Sequence, residues 1–460
     1  MHNLQGKKVT VIGLGLHGGA LGAIKWLLDQ GAVVTATDLR DEDVLAPTLK
    51  KLEGKNVQLV LGEHRFEDFT DTDLVVRNPA VPRDSKYLQA ARDAGVPVEM
   101  DSGLFFEHCL SRKVVGITGS KGKTTTSQAI YHVLQSHNPD TVVVGTDGIQ
   151  PLTELAKITA DTQVVFELSS WRLEPLSEKK ISPHIAVVTS IYKEHLNTYA
   201  SFEEYIETKK TIIRHQLESD TAVLNADDVR LQTWEPEIQG QLYWYSLSKL
   251  EEEGVYVREG RIVVAVDDTV TEIMAVEDLP SSYEHERRNM LPAILLGHLQ
   301  GMSAEEITKA LLTFQRLPHR LEVVREVNGV TYINDSASTM PDATIAALQS
   351  LQNTSLVLIL GGSDKKLEFG GLAAALKTHL PKALVWLPGT ATERMKQEVG
   401  DAISSIPARD ATTMQQATTL ATEFTTKGDT VLLSPGATSF GLFNHEFDRG
   451  DQFRDTVRML

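Results

Sequence analysis

The sequence predicts an α/β protein of three domains: Rossmann-like over residues 1–111, P-loop-type α/β over 112–317, and Rossmann-like α/β again over 318–460. Three observations predict it. A glycine-rich turn at Gly13–Gly18 and another at Gly116–Thr124 each follow a short apolar strand and lead into a helical pattern. Beyond residue 318, apolar strand-like runs alternate with helical patterns. Such alternation implies mostly parallel sheets.

The first element is the strand Val9-Thr10-Val11-Ile12, followed by Gly13-Leu14-Gly15-Leu16-His17-Gly18, an amphipathic helix to Gln30 and the strand Val33–Asp38. This βαβ pattern satisfies the dinucleotide fingerprint, because Asp38 lies twenty residues after Gly18. The glycines let a diphosphate approach the helix N-terminus, and the acid reaches a ribose. An NAD-linked oxidoreductase and another nucleotide-diphosphate ligand both remain open on these residues. Next, the strand-like Leu74–Arg77 runs into Asn78-Pro79-Ala80-Val81-Pro82, at the carboxyl edge where such sheets bind ligands. Asn78 reads equally well as a contact or as a turn residue.

The central segment opens with the most informative stretch of the chain, Gly116-Ile117-Thr118-Gly119-Ser120-Lys121-Gly122-Lys123-Thr124-Thr125-Thr126. Its glycines let backbone N–H groups close around phosphate oxygens, Lys123 supplies a cation, and the Thr124 hydroxyl suits a magnesium ion. The spacing departs from the strict Walker pattern, since position 117 is isoleucine. The strand Gln163–Glu167 ends in a carboxylate, as acids that face a loop-bound metal do. Further strands fall at Ile185–Val188 and Thr221–Leu224, and in the last segment at Leu356–Leu360, Ala383–Leu387 and Thr430–Leu433.

Composition narrows the function classes. Hydrophobic residues make up 41% and charged residues 23% of 460, and no apolar run approaches the ~18 residues of a membrane helix. The net charge of −17 disfavours nonspecific nucleic-acid binding and leaves small anions as ligands. Cys109 is the only cysteine and Met1–Lys8 carries no apolar signal segment, so the expectation is a cytoplasmic protein without an internal disulfide, acting as a monomer.

The ordered set Thr118–Thr125, Glu167-Leu168-Ser169-Ser170, His195, Tyr205-x-x-x-Lys209 and Leu224-Asn225-Ala226-Asp227-Asp228 resembles the Mur ligase family of ATP-dependent amino-acid ligases. The match continues through Leu317-Pro318-His319-Arg320 and Asn334-Asp335-Ser336 to Ser434-Pro435-Gly436-Ala437-Thr438-Ser439-Phe440, essentially the whole chain. Within the family, the first glycine turn and the late Ser-Pro-x-Ala-x-Ser motif point to the branch that joins D-glutamate to UDP-N-acetylmuramoyl-L-alanine in peptidoglycan precursor synthesis.

The resemblance implies ATP and two magnesium ions as cofactors of a central P-loop-type ATP-binding domain. Gly119, Ser120, Lys121, Gly122, Lys123, Thr124 and Thr125 would cradle the phosphates, with Lys123 on the terminal ones. Thr124 would hold the first magnesium, Glu167 would lie between two metals and His195 on the second. Lys209 matches the lysine that family members convert to a carbamate, a further anion for the second metal. Asn289, Arg320 and Asp335 match contacts to adenine, γ-phosphate and ribose. Gly15, Leu16, His17, Asp38, Arg40 and Asn78 would hold the UDP end of the substrate, which displaces the nicotinamide reading; Ser169 joins the substrate contacts, and Thr339, Lys365 and Ser439 match contacts to glutamate.

Four positions differ from the family pattern. Ala337 stands where many of these ligases have lysine, Glu286 where asparagine is usual, Asp147 in an asparagine slot facing the muramoyl substrate, and Glu446 in place of an aromatic, with Phe447 adjacent. Losing a cation and gaining a carboxylate near the amino-acid pocket makes altered specificity, such as L-glutamate, the alternative reading. Other features read as structural: Cys109 as a small buried apolar residue, Glu251-Glu252-Glu253 as a solvated turn, and His285 and His319 as packing or nucleotide contacts.

Overall fold

Short runs of β-branched and aliphatic residues become buried strands, and glycine turns at their carboxyl ends feed helices that cover the sheets. The computed structural model describes residues 3–15, 19–79, 81–146, 148–193, 198–281, 283–315, 317–364, 367–439 and 441–460. They form two compact units, Met1–Phe314 and Gln315–Leu460, the first containing two sheets and the second one.

The first sheet comprises β1 (Lys8–Ile12), β2 (Val33–Asp38), β3 (Val57–Leu61), β4 (Leu74–Arg77) and β5 (Val98–Glu99), all parallel in the order β3-β2-β1-β4-β5. Its order reverses between β1 and β4, which places a ligand crevice beyond their carboxyl ends.

The second sheet has nine strands: β6 (Val114–Thr118), β7 (Val142–Val144), β8 (Val164–Glu167), β9 (Ile185–Val188), β10 (Thr221–Asn225), β11 (Gln241–Ser246), β12 (Gly254–Arg258), β13 (Arg261–Val266) and β14 (Thr269–Ala275). Their order is β14-β13-β12-β11-β10-β9-β6-β8-β7, so β6 lies between β9 and β8. The sheet is parallel through β12 and then continues antiparallel through β13 and β14. The sequence pattern of alternating strands and helices does not anticipate that extension. Its cause is local: the connections Glu259-Gly260 and Asp267-Asp268 have φ of 52°, 77°, 49° and 60°, the left-handed pairs that close two-residue hairpins.

The third sheet contains β15 (Glu322–Val327), β16 (Val330–Asn334), β17 (Leu356–Leu360), β18 (Ala383–Trp386), β19 (Ala408–Asp410) and β20 (Thr430–Leu433), in the order β15-β16-β20-β17-β18-β19. Only β15 runs antiparallel, turned by Asn328-Gly329. The carboxyl ends of β16, β20 and β17 therefore lie side by side.

One apolar cluster unites the first two sheets: Ile24 and Leu27 from the helix after β1 belong with Phe105, Phe166, Leu173 and Leu224. Phe166 is fully buried, edge-on to Phe105 at 5.0 Å and stacked on Phe106 at 5.8 Å. Cys109 is half-buried against this cluster, with its Sγ donating to the Ser111 carbonyl at 3.4 Å. The Glu251–Glu253 run is a bend before β12, with Glu251 and Glu252 exposed. Among the described residues, no helix is long and apolar enough to cross a membrane. Because Phe166 lies where both sheets meet, Phe166→Ala should cost about 3–5 kcal/mol, read as a lower urea midpoint for the first unit. A loss below about 1 kcal/mol would show that the two sheets do not share this core.

Candidate nucleotide and ligation site

β6 is buried along its length and delivers the loop Gly119–Gly122 to the sheet's carboxyl edge. The helix Lys123–His137 then starts without a side-chain cap, its N-cap being Gly122 at φ 86°. Its uncapped first-turn amides, at the positive end of the helix dipole, suit an anion. Glycine is required at 122 twice over, for the left-handed backbone and because an added Cβ would lie 2.5 Å from Asn289 Oδ1. Asn289 is thereby fixed against the loop, and its carbonyl accepts from Thr126 Oγ1 at 3.0 Å.

The neighbouring strand end holds the loop open. Ser120 N donates to the Ser190 carbonyl at 2.7 Å, Lys121 N to Ser190 Oγ at 3.1 Å, and Thr189 Oγ1 to the Lys121 carbonyl at 2.5 Å. Tyr205 and Lys209, four residues apart on the helix Phe202–Arg214, face the loop together: the Tyr205 hydroxyl meets Ser120 Oγ at 3.0 Å, and Lys209 Nζ donates to the Gly119 carbonyl at 2.9 Å. Lys209 is 1% exposed and lies over the Tyr205 ring at 4.8 Å. Lys123 Nζ also donates to the Gly119 carbonyl, at 2.9 Å. Two ammonium groups thus share one carbonyl oxygen.

Glu167 ends β8, in register with Ile117 of β6, and its Oε2 accepts from Ser127 Oγ at 3.5 Å. Thr124 and Thr125 occupy the first turn of the same helix. The donor chemistry fits magnesium, which is held by one or two hard protein oxygens with phosphate and water completing the shell. Among the described residues, no three His, Cys, Asp or Glu side chains gather as a closed metal site.

At the crevice of the first sheet, Gly13 follows β1, Asp38 ends β2 and Asn78 follows β4. A Cβ on Gly13, whose φ is 85°, would lie 2.7 Å from Val81 Cγ2 and 3.2 Å from Asn78 Cβ. The Asp38 carboxylate takes Arg40 in a fork, at 2.9 Å from Nε and 2.7 Å from Nη2, and also accepts from Gly15 N at 3.3 Å. Burial opposes its ionisation, but the bonds from Arg40 and Gly15 outweigh it and leave the Asp38 pKa below the ordinary value. Ser169 caps the helix Ser170–Lys179, accepting from Arg172 N at 3.4 Å.

In the second unit, Asp335 and Thr339 follow β16, and Ser439 follows β20. Asp335 is buried; its Oδ1 accepts from Leu321 N at 3.2 Å, and its Oδ2 accepts from Ser434 Oγ at 2.8 Å and from Ser338 Oγ. Burial prevails over these bonds and the nearby positive charge of Arg320, pushing its pKa up to about 6. The Ser439 hydroxyl is buried without a partner among the described residues. Arg449, which the sequence reading overlooked, is fully buried and donates to Ser336 Oγ, the Ser336 carbonyl and the Ala437 carbonyl at 3.0, 2.8 and 3.0 Å. It clamps the β16 and β20 loops together. Glu446 starts the last helix, and its carbonyl accepts from Ser336 Oγ at 2.6 Å, while Phe447 stays partly exposed beside His319.

The first unit therefore brings together Gly119, Ser120, Lys121, Gly122, Lys123, Thr124, Thr125, Glu167, Lys209 and Asn289, with Gly15, Asp38, Arg40 and Asn78 at its other sheet edge. In the second unit Arg320 lies near Asp335, while Thr339 follows β16 and Ser439 follows β20. Leu16, His17, Asp147, His195 and Lys365 lie outside the described residues. Besides Arg449, the sequence reading missed Thr189 and Ser190 as supports of the loop, and it named Tyr205 only for its spacing to Lys209. Their position just past a parallel strand, or on the lysine's helix face, was the available signal.

A phosphate loop at the head of a parallel sheet, with a strand-end carboxylate and a buried lysine against it, defines a P-loop-type nucleotide-binding α/β protein. Three family descriptions match in order: "Mur ligase MurD-like, N-terminal domain" at residues 7–99, "Mur ligase middle domain" at 117–296 and "Mur ligase, glutamate ligase domain" at 319–436. A protein of Roseiflexus sp. (strain RS-1) named UDP-N-acetylmuramoylalanine--D-glutamate ligase is 39% identical over 99% of both chains. One of that name from Acetivibrio thermocellus is 33% identical over 99% of this chain and 97% of its own. This chain belongs to the Mur ligase family. Solved structures share the fold: UDP-N-acetylmuramate-alanine ligase of Thermotoga maritima, with TM-score 0.63 and 19% identity over 98% of this chain and 99% of its own, and MurF ligase of the same organism, with TM-score 0.59 and 16% identity over 99% and 96%.

Two outcomes test the site. Gly122→Ala should weaken ATP binding by at least about tenfold in calorimetry, since it strains the loop and displaces Asn289; unchanged affinity would remove the loop from nucleotide binding. A carboxyl whose folded pKa is raised contributes stability below its unfolded value, 3.8 here, and loses it as pH rises through about 6. Asp335→Asn should therefore stabilise the apoprotein above pH ~6 by up to about 3 kcal/mol and change little below pH ~4, in denaturant unfolding followed against pH.

Proposed function

We infer that this chain is an ATP-dependent ligase that joins D-glutamate to UDP-N-acetylmuramoyl-L-alanine, a step of peptidoglycan precursor synthesis. One observation carries the reading: a phosphate loop, a strand-end glutamate and a buried lysine converge in a chain that matches, along 99% of its length, relatives named for that reaction. Three substrates call for three binding regions. Residues 1–111 hold the UDP end of the precursor through Gly15, Asp38, Arg40 and Asn78, and residues 112–317 hold ATP. Residues 318–460 supply Arg320 and Asp335 as nucleotide contacts and Thr339 and Ser439 as glutamate contacts.

In the reaction, the precursor carboxylate takes the γ-phosphoryl group of ATP and gives an acyl phosphate plus ADP. The glutamate amine then attacks the acyl carbon, and phosphate leaves as the peptide bond forms. A carboxylate approaching a triphosphate meets strong like-charge repulsion, so positioning and neutralisation carry the rate. The amides at the start of the helix Lys123–His137 and the Lys123 ammonium supply positive charge where the transferred group passes. Magnesium, held by Thr124 and Glu167 at a first position and by Glu167, His195 and Lys209 at a second, would neutralise phosphate oxygens.

A carbamate on Lys209 gives the buried lysine its reason. As a cation it competes with Lys123 for the Gly119 carbonyl, a like-charge arrangement that burial makes costly. Addition of CO2 to the neutral amine, with loss of a proton, replaces that cation by an anion that suits a metal. Lys209→Ala should lower turnover on the order of 10³-fold, with partial recovery on adding acetate or formate. Undiminished activity in the variant would remove the carbamate from the mechanism.

The deciding assay measures product from ATP, magnesium and UDP-N-acetylmuramoyl-L-alanine with D-glutamate, L-glutamate or neither. Product and phosphate release with D-glutamate alone is the expected outcome; product only with another amino acid would overturn the assigned specificity.

A further inference from the structure

An arginine at the end of an apolar strand needs a reason to be buried. Arg77 follows Leu74-Val75-Val76, and its side chain is only 6% exposed. Its Nη1 donates to the Val81 carbonyl at 2.9 Å, and its Nη2 donates to Met100 Sδ at 3.0 Å and to the Glu174 carboxylate. Val81 is the residue that closes over Gly13, so the guanidinium holds the loop bearing Asn78 onto the glycine turn.

Glu174 lies on the helix that follows Glu167, and its side chain is 12% exposed. Its second oxygen accepts from the Tyr199 hydroxyl at 3.2 Å. Tyr199 is buried, which pushes its hydroxyl pKa up and keeps it a donor, and its ring meets that of Tyr205 edge-on at 5.5 Å. Tyr205 in turn touches Ser120 of the phosphate loop. A second pair runs beside the first: Arg83 binds Glu204 and lies over the Tyr199 ring at 5.5 Å, while Glu204 accepts from Ala200 N at 2.7 Å. Contacts therefore run unbroken from Gly13 through Val81, Arg77, Glu174, Tyr199 and Tyr205 to Ser120.

A buried ion pair adds little net stability, yet removing one partner strands a charge; its physical use is to fix registry. We propose that Arg77 and Glu174 are positioning residues, a buried staple that sets the precursor-binding loop after β4 in register with the phosphate loop. The UDP-linked carboxylate reaches the γ-phosphate in line only while this pair is made. This inference rests on the reading that the UDP end occupies the crevice at Gly13 and Asn78.

The test uses the full chain with Arg77→Met, Glu174→Gln and the double variant. Each single variant should raise the KM for UDP-N-acetylmuramoyl-L-alanine by about tenfold and lower kcat, with the KM for ATP within about twofold. The double variant should be no worse than the poorer single, because both break one contact. Amide hydrogen exchange over residues 78–83 should also quicken in Glu174→Gln, although that substitution lies on another segment. Unchanged exchange there in folded Glu174→Gln, or additive losses in the double variant, would overturn the staple. The isosteric Glu174→Gln decides the matter if Arg77→Met fails to fold. Absence of turnover by the unsubstituted chain would overturn the proposed function instead, while the exchange measurement still tests the staple.

Discussion

The phosphate loop hangs on one local feature, a helix that begins at a left-handed glycine and not at a side-chain cap. Gly122 contributes no side-chain oxygen to cap the helix Lys123–His137, and its left-handed backbone turns the chain sharply out of β6. Hydrogen bonds from Thr189, Ser190 and Tyr205 hold the loop from its outer side. The positive end of the helix dipole is left facing the loop, a polarity that suits an anion. Placing β9 beside β6 supplies Thr189 and Ser190, because β9 ends where the loop begins, and the helix Phe202–Arg214 supplies Tyr205.

Charge is distributed to serve that site in a chain whose net charge is −17. Two buried or nearly buried arginines of the first unit each find acceptors. Arg77 has Glu174 and the Val81 carbonyl; Arg172 has Asp101 at 3.0 Å and the Gly145 carbonyl at 2.6 Å. Arg449 donates only to neutral acceptors, with the charges of Glu446 and Asp335 nearby, and burial prevails to lower its pKa to about 10. Asp335 shows the opposite balance: three hydrogen bonds fail to offset its burial, which pushes its pKa up to about 6.

Much of the site was legible locally. Glycines at 13, 119 and 122, the acid closing β8 and the four-residue spacing of Tyr205 and Lys209 each encode a turn, a strand end or a helix face. Neither hairpin region was read: Asn328-Gly329 is a strong turn signal that was passed over, whereas Asp267-Asp268 is a weak one and β12–β14 went unread. Arg77, Glu174 and Arg449 could not be found this way: an arginine or glutamate in sequence reads as solvated, and what buries these is a partner 97 residues away for the first two and 113 for the third.

The sequence by itself determined where backbone turns sharply at the two glycine loops, which apolar runs become the parallel strands beside them, and which residue types suit phosphate and metal, since those follow from neighbours within one turn or one strand. The tertiary structure alone decided that Lys123 and Lys209 meet on one carbonyl, that Asn289 packs on Gly122, and that Arg77 pairs with Glu174. Strand order sets those meetings, and it minimises the free energy of the whole sheet, which no local pattern records.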